Sequence, residues 1–369
     1  MSGENSTKSG TVGSQPTSTV NGRKLITDLL LEELAALLDA WGEPRYRAEQ
    51  VLDWVYRKRA RSFDEMTNLP LELRHKLADA FLVRGGEVVR CVESRDTLTS
   101  KSLLRLRDNE TIEIVLMRDG ARWTICVSTQ VGCPLGCLFC ATGRAGFVRN
   151  LTAGEIVEQV LAVTDTVDMA GRSPNLVYMG MGEPFLNYDA TVKSIRILME
   201  RKGMGIGARN ITVSTASVVP GIKRFAREGW QVRLSVSLHS VNDEVRRELM
   251  PAAAQRYAVA AVLGAARAYT SMTGRHPTFE YVLLDGVNDT RDDAHRLADA
   301  IRDIPCSVNL IVFNRVEDSP YAPTPVGRAN AFRETLRRAG IRATLRRPRG
   351  RDIDAACGQL RHRRQKIEK

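Results

Sequence analysis

Residues 122–150 read RWTICVSTQVGCPLGCLFCATGRAGFVRN, and the fold turns on them. The first eight, RWTICVST, are rich in β-branched and aromatic side chains and predict a strand. Gly132, Pro134 and Gly136 then predict a loop rather than a core element. That loop carries Cys133, Cys137 and Cys140 at C-x3-C-x2-C spacing. Thiolates are soft ligands suited to zinc or to an iron–sulfur cluster. A closed zinc site takes a fourth ligand nearby, usually from a second C-x2-C or a His pair. Here the next cysteine is Cys306, and no His lies between Cys140 and His239. Three ligands and one open position predict a cluster with one iron free for a small molecule; zinc is the alternative.

Downstream the pattern repeats as strand, loop and helix. LTAGEIVEQVLAVTD, YDATVKSIRILME, PGIKRFARE, NDEVRREL, DTRDDAHRLADAI and GRANAFRETLRRAG read as helices. Between them NLVYMGMG, NITVST, VRLSVSL, TFEYVLLD and SVNLIVF read as strands, and AAQRYAVAAVLGAARAY adds one more helix. Strands separated by helices of this length mean βα units on a parallel sheet. Six units predict an α/β fold with a partial (βα)6 barrel, short of the eight-fold one; an open doubly wound sheet is the alternative. Upstream, LITDLLLEELAALLDAWG, RYRAEQVLDWVYRKRA and PLELRHKLADAF predict a small N-terminal helical accessory domain. In it Val51, Trp54 and Val55 share a face, and Ser62 with Glu65 offers a capping box. EVVRCVES, KSLLRLRD and TIEIVLM predict a few strands joining the two regions.

Composition excludes several classes. The chain has 369 residues, 43% hydrophobic and 26% charged, as in ordinary soluble proteins. It has no run of eighteen apolar residues, so no membrane association is expected. The polar opening stretch lacks the apolar region of a secretory signal. Seven cysteines, three of them in one loop, fit a reducing cytoplasm better than a disulfide framework. The net charge of +11 is uneven. One cluster runs through Arg337, Arg338, Arg342, Arg346, Arg347, Arg349, Arg351, Arg361, Arg363 and Arg364; another spans Arg45, Arg47, Arg57, Lys58, Arg59 and Arg61. Such clusters suit a partner rich in phosphate, and a merely solvating surface is the alternative.

In parallel βα folds ligands bind at the C-terminal ends of strands. Polar and glycine residues gather there: Gly180, Gly182 and Glu183 after the second strand, Ser214 and Thr215 after the third. Ser237 and His239 follow the fourth, and Asn314 the sixth. Each alone serves a turn as easily as a ligand. Around one rim with the cysteine loop they predict a binding site.

The motifs YRAEQVLDWVYRK, MTNLP, CVSTQVGC, FCATGRAGFVRNL, GMGEPFLN, SVSLH and DIDAACGQL extend over most of the chain, from about residue 24 to 360. Together they resemble the RlmN/Cfr RNA adenine methyltransferases of the radical S-adenosylmethionine superfamily. Pro184 is closer to the branch that methylates carbon 2 of adenine than to the one that methylates carbon 8. The resemblance implies a 4Fe-4S cluster on Cys133, Cys137 and Cys140, with S-adenosylmethionine at the free iron. Its contacts would be Gly182, Glu183, Ser214, Ser237, Leu238, His239 and Asn314. It implies a catalytic pair, Cys126 and Cys357, and Glu113 as proton acceptor at the base. Without it Cys126 is a buried strand residue, Cys357 a loop thiol, Glu113 a surface glutamate and His239 a strand-end histidine. Cys91 and Cys306 match nothing and are expected in the core.

The implied chemistry answers a difficulty, because carbon 2 of adenine is electrophilic and resists a methyl cation. One S-adenosylmethionine would methylate Cys357. A second, cleaved by an electron from the cluster, would yield a radical that takes hydrogen from that methyl. The methylene adds to an unstacked base. Cys126 then attacks the Cys357 sulfur, and the disulfide left behind is reduced. Partners implied are 23S rRNA, tRNA, an electron donor and a disulfide reductant. The arginines of 342–351 and of Arg57 to Arg61 are expected to hold RNA phosphates around the barrel mouth. Expected regions are a disordered tail 1–22, an RNA-binding helical domain 23–85, a β-rich linker 86–118, the barrel 119–350, and 351–369 with Cys357 and a basic tail. Two other readings stay open: a radical enzyme acting on another base or on protein, and a non-catalytic RNA-binding factor with a structural cluster.

Overall fold

The computed structural model describes residues 22–169, 171–317 and 319–361. Apart from Gly22, the expected tail 1–22 lies outside the described residues, as do Arg363 and Arg364. Helices α1 (Leu31–Ala40), α2 (Tyr46–Leu52) and α3 (Leu71–Ala80) form the accessory region. Their leucine and valine periodicity packs inward, with Leu34, Leu38, Val51, Leu73 and Leu77 fully buried. Strands β1 (Lys24–Leu25) and β2 (Phe81–Leu82) pair in parallel and tie the ends of the region together. Glu65 does accept from the Ser62 N–H, at 2.9 Å, but the bond closes a turn and opens no helix.

One ten-stranded sheet organises the rest. Strands β3 (Glu87–Glu93), β4 (Thr99–Arg105) and β5 (Thr111–Asp119) are antiparallel and run directly into β6 (Arg122–Cys126). The segment read as a linker is thus an extension of the same sheet. A separate hairpin, β7 (Gln130–Gly132) with β8 (Phe147–Asn150), brackets the cysteine loop and the short helix α4 (Ala141–Arg144). Then α5 (Ala153–Thr164), β9 (Asn175–Tyr178), α6 (Tyr188–Met199), β10 (Ile211–Thr215), α7 (Val219–Phe225) and β11 (Arg233–Ser237) alternate. Helices α8 (Asp243–Leu249), α9 (Pro251–Arg256) and α10 (Val259–Thr273) lead to β12 (Thr278–Leu283). The chain closes with α11 (Arg291–Ile301), β13 (Ser307–Val312), α12 (Val326–Arg338) and β14 (Arg342–Arg346). Strands β6, β9, β10, β11, β12, β13 and β14 are parallel neighbours in that order, so the six expected βα units are present and a seventh parallel strand follows the last helix. The extra one is β14, whose arginines masked its register with β13. No helix among the described residues is long and apolar enough to cross a membrane.

Two expectations change. Cys91 is exposed on β3 and Cys306 only partly buried, so neither belongs to the inner core. The Arg57–Arg61 cluster does not face the barrel mouth. Helices α5 and α6 run back against the strands, so their C-termini lie at the opposite end. Arg57 donates there to Arg201 O at 2.6 Å and to Gly203 O at 3.2 Å, while Arg59 donates to Thr164 Oγ1 at 2.6 Å. Arg59, Arg61 and Arg84 stand 3.9, 3.6 and 3.8 Å from Asp165. These cations dock the accessory region onto the barrel.

The same junction buries Glu158 of α5, which accepts from the Gly85 N–H while its Oε2 finds no partner. Burial pushes its carboxyl up to about 8, against that bond and the nearby Arg84. A carboxyl whose pKa is raised by folding destabilises the fold once it must ionise. Stability is therefore expected to fall as pH rises from the ordinary carboxyl range through about 8. Glu158→Gln should flatten that dependence and gain roughly 1–3 kcal/mol at pH 9, measured by denaturant unfolding.

Candidate active site

The cysteine loop is held at both ends by backbone. Gly132 has φ +76°, and a Cβ there would meet Gly146 O at 2.0 Å, so the hairpin closes only on glycine. Cys133 N–H donates to Gly146 O at 2.8 Å, Leu138 N–H to Leu249 O at 3.0 Å and Cys140 N–H to Cys137 O at 3.1 Å. Leu135, Leu249, Met250, Ala253, Leu284 and Phe313 form an apolar shell around Cys137. Burial pushes the Cys133 thiol up to about 12 and raises Cys137 well above the ordinary thiol range, and the neighbouring cysteines add to both. Binding iron there must displace thiol protons. Among the described residues no three His, Cys, Asp or Glu side chains converge on a point that would hold one metal ion. Three free thiols on one short loop suit a cluster in which each bonds its own iron.

Beside the loop a cavity opens at the strand ends, lined by Cys140, Gly182, Glu183, Ser214, Ser237, His239 and Asn314. Gly182 has φ +96° and lies against Gln130, whose Cβ would be 2.5 Å from an added methyl. Glu183 accepts from Phe185 N–H at 2.9 Å and Ala216 N–H at 2.6 Å; burial still pushes it up to about 7. His239 adopts the left-handed region at φ +60°, a strained conformation for histidine. Its Nδ1 accepts from Val282 N–H at 3.1 Å, which leaves the proton on Nε2. Burial, then the Arg246 charge, lowers its pKa to about 3, so the ring is neutral. Leu238 differs from its neighbours: its side chain is fully buried in the core and does not line the cavity.

A second cavity contains Cys126 and is lined by Val115, Met117, Arg347 and Arg349. Met179, Ile311, Asn314, Arg346 and Cys357 line both, so Cys357 stands in the partition between them. Its segment is pinned from several sides. Asn314 Nδ2 donates to Cys357 O at 3.1 Å and is itself oriented by Arg351 Nε at 2.6 Å. Gly358 O accepts from Ala141 N–H at 2.7 Å, and Leu360 O from Thr142 Oγ1 at 2.5 Å. Cys126 and Cys357 are both free thiols. Cys357 is exposed toward these cavities, and its recessed position raises its pKa while Arg346 opposes the rise. Burial likewise pushes Cys126 up to about 12, with Cys357 adding and Arg346 opposing.

Arg346 is therefore no phosphate clamp on the outer surface. Its register opposite Ile311 aims it inward, 3.7 Å from Glu280 Oε2, while Ser235 and Asn309 hold Glu280 Oε1 at 3.1 Å each. Arg349 is occupied by Asp119 at 3.0 Å and Arg118 O at 2.6 Å. Among Arg346, Arg347 and Arg349, Arg347 is the exposed one. The Arg346–Glu280 pair escaped sequence reading, although an acid in the middle of the apolar strand TFEYVL was a usable signal. Glu113 is buried on the face of β5 that also carries Val115 and Met117, yet it lies outside the Cys126 cavity. Lys101 pairs with it at 3.0 Å and the Arg361 N–H donates to it at 2.9 Å.

Comparison with known proteins adds kinship. Residues 127–298 match the radical SAM superfamily, and residues 25–83 match the ribosomal RNA large subunit methyltransferase N-terminal domain. The chain is 46% identical over 346 residues to the "Probable dual-specificity RNA methyltransferase RlmN" of Symbiobacterium thermophilum, covering 94% of this chain and 93% of that one. Identity to the protein of the same description from Geobacillus thermodenitrificans is 46% over 344 residues, covering 93% and 94%. The crystal structure of a radical SAM methyltransferase from Sphaerobacter thermophilus superposes with a TM-score of 0.88 at 50% identity, covering 92% of this chain and 99% of that one.

Proposed function

Since the chain belongs to the RlmN family of radical S-adenosylmethionine RNA methyltransferases, which use a 4Fe-4S cluster, we propose that it methylates carbon 2 of adenine in 23S rRNA and in tRNA. The observation that carries this reading is Cys357 in the wall between two cavities, with Cys126 in the farther one. Cys133, Cys137 and Cys140 would hold the cluster. Gly182, Glu183, Ser214, Ser237, His239 and Asn314 would line the S-adenosylmethionine site. When bound, these groups supply an electron, methyl groups and a hydrogen-abstracting radical.

The chain's own residues do the rest. Cys357 carries the one-carbon unit as a thioether and presents it across the partition to a base in the second cavity. Asn314 and the cysteine-loop backbone hold the carrier in that wall. A sulfur–carbon bridge to the base follows. Cys126 attacks the Cys357 sulfur, and the sulfur–carbon bond breaks with its electron pair going to the carbon. That carbon takes a proton and becomes the methyl group on the base, and an external thiol reductant returns the Cys126–Cys357 disulfide to two thiols. Glu113 would take the proton from carbon 2, once the Arg361 main chain has left its carboxylate. Arg347 at the rim is free to meet phosphate, a contact that positions RNA without reading its sequence.

Digesting 23S rRNA and tRNA after incubation with the loaded enzyme, and separating methyladenosine isomers by mass spectrometry, tests the proposal. The expected product is 2-methyladenosine in both RNAs. 8-Methyladenosine, or no methylated adenosine at all, would overturn it.

A further inference from the structure

Arg246, on α8, is fully buried. Its Nε donates to Leu238 O at 3.1 Å and its Nη1 to Tyr257 O at 3.1 Å, while Nη2 is buried with no hydrogen-bond partner. Both acceptors are neutral carbonyls. Of the three acids on that helix, Asp243, Glu244 and Glu248, the one that acts on Arg246 is Asp243, and its Oδ1 accepts from the Val259 N–H at 2.8 Å. Asp243 and the Cys137 sulfur both act on its charge, yet no carboxylate makes an ion pair with it among the described residues, and arginine is rarely fully buried unless paired. A further anion near it would complete the pair.

The packing beside it points to what that is. Leu249 at the end of α8, Met250 at the junction and Ala253 on α9 pack in the apolar shell with Leu135 and Cys137. The Leu249 carbonyl accepts from Leu138 N–H at 3.0 Å, inside the cysteine loop. His239, whose ring packs edge-to-face with Phe139 at 4.8 Å between centroids, also feels the Arg246 charge. Arg246 thus lies between the fourth parallel strand's end and the loop. A 4Fe-4S cluster on three thiolates is net negative in both oxidation states, and more so when reduced.

We infer that the cluster is the buried counter-ion of Arg246, and that Arg246 raises the cluster's reduction potential by favouring the more negative state. This rests on Cys133, Cys137 and Cys140 being the cluster ligands. The electron comes from an external donor, and Arg246 neither gains nor loses a proton.

The full-length protein, reconstituted anaerobically with iron and sulfide and without S-adenosylmethionine, is titrated with dithionite and followed by electron paramagnetic resonance. Arg246→Met is expected to shift the reduction equilibrium at least tenfold toward the oxidised cluster, about 59 mV for one electron. Arg246→Lys should recover most of that shift. Arg246→Gln, neutral but still a donor to Leu238 O, should behave like the methionine variant and separates charge from packing. Melting curves give a second readout: cluster loading should raise the Tm of wild type more than that of either neutral variant. A potential unchanged in both neutral variants, with equal stabilisation on loading, would sink the inference alone. Wild type that takes up no iron would sink the ligand assignment and the inference together.

Discussion

Cys126→Ala enzyme, incubated with S-adenosylmethionine, reductant and RNA, is expected to stall with RNA covalently bound through Cys357. The variant removes only the thiol that lines the second cavity opposite the partition. The cysteine loop, the first cavity and the Cys357 segment keep their contacts, so attachment of the one-carbon unit and its transfer to the base proceed. Release does not, because no other thiol shares that cavity with Cys357. Free product should fall by on the order of 10⁴-fold, as when a covalent-catalysis group is lost. A denaturing gel should show a band retarded by the mass of the RNA, sensitive to nuclease and insensitive to thiol. Normal turnover without that band would return Cys126 to the standing of a buried strand residue.

Cys357→Ala should abolish methylation of RNA by a similar factor while leaving cluster content near wild type. The side chain faces both cavities and makes no hydrogen bond to another side chain among the described residues, whereas its segment is anchored through Asn314, Gly358 and Leu360. Truncation therefore removes chemistry with little structural cost. Peptide mass spectrometry adds a direct readout: wild type incubated with S-adenosylmethionine should yield S-methylcysteine at 357, and the variant no methylated peptide there. The two variants also part company on the gel, because Cys357→Ala cannot form the retained band. A Cys357→Ala enzyme that still produced methyladenosine would eliminate the carrier.

The cysteine loop and the glycine- and serine-bearing strand ends were legible because their signals are local. Ligand spacing and the switch between periods of two and 3.6 residues are properties of short windows. Where local signals conflicted, reading failed. β14 is composed like a solvated basic run, and only its pairing with β13 shows it to be a strand. Cys91 alternates in a strand pattern whose outer face turned out to be exposed. The Arg57–Arg61 cluster suggests phosphate binding because charge alone carries no information about which end of a barrel it meets.

By itself the sequence determined the order of βα units, the three-thiol loop and the glycines that let backbone approach backbone, since torsional freedom and spacing belong to the chain. Which distant groups share a space was decided by tertiary structure alone. Strand register turned Arg346 inward to Glu280 and carried Cys357 into the wall beside Cys126, while α8 delivered a buried guanidinium against the cysteine loop. Burial removes water from these groups, and a charge without water must find its partner through the fold.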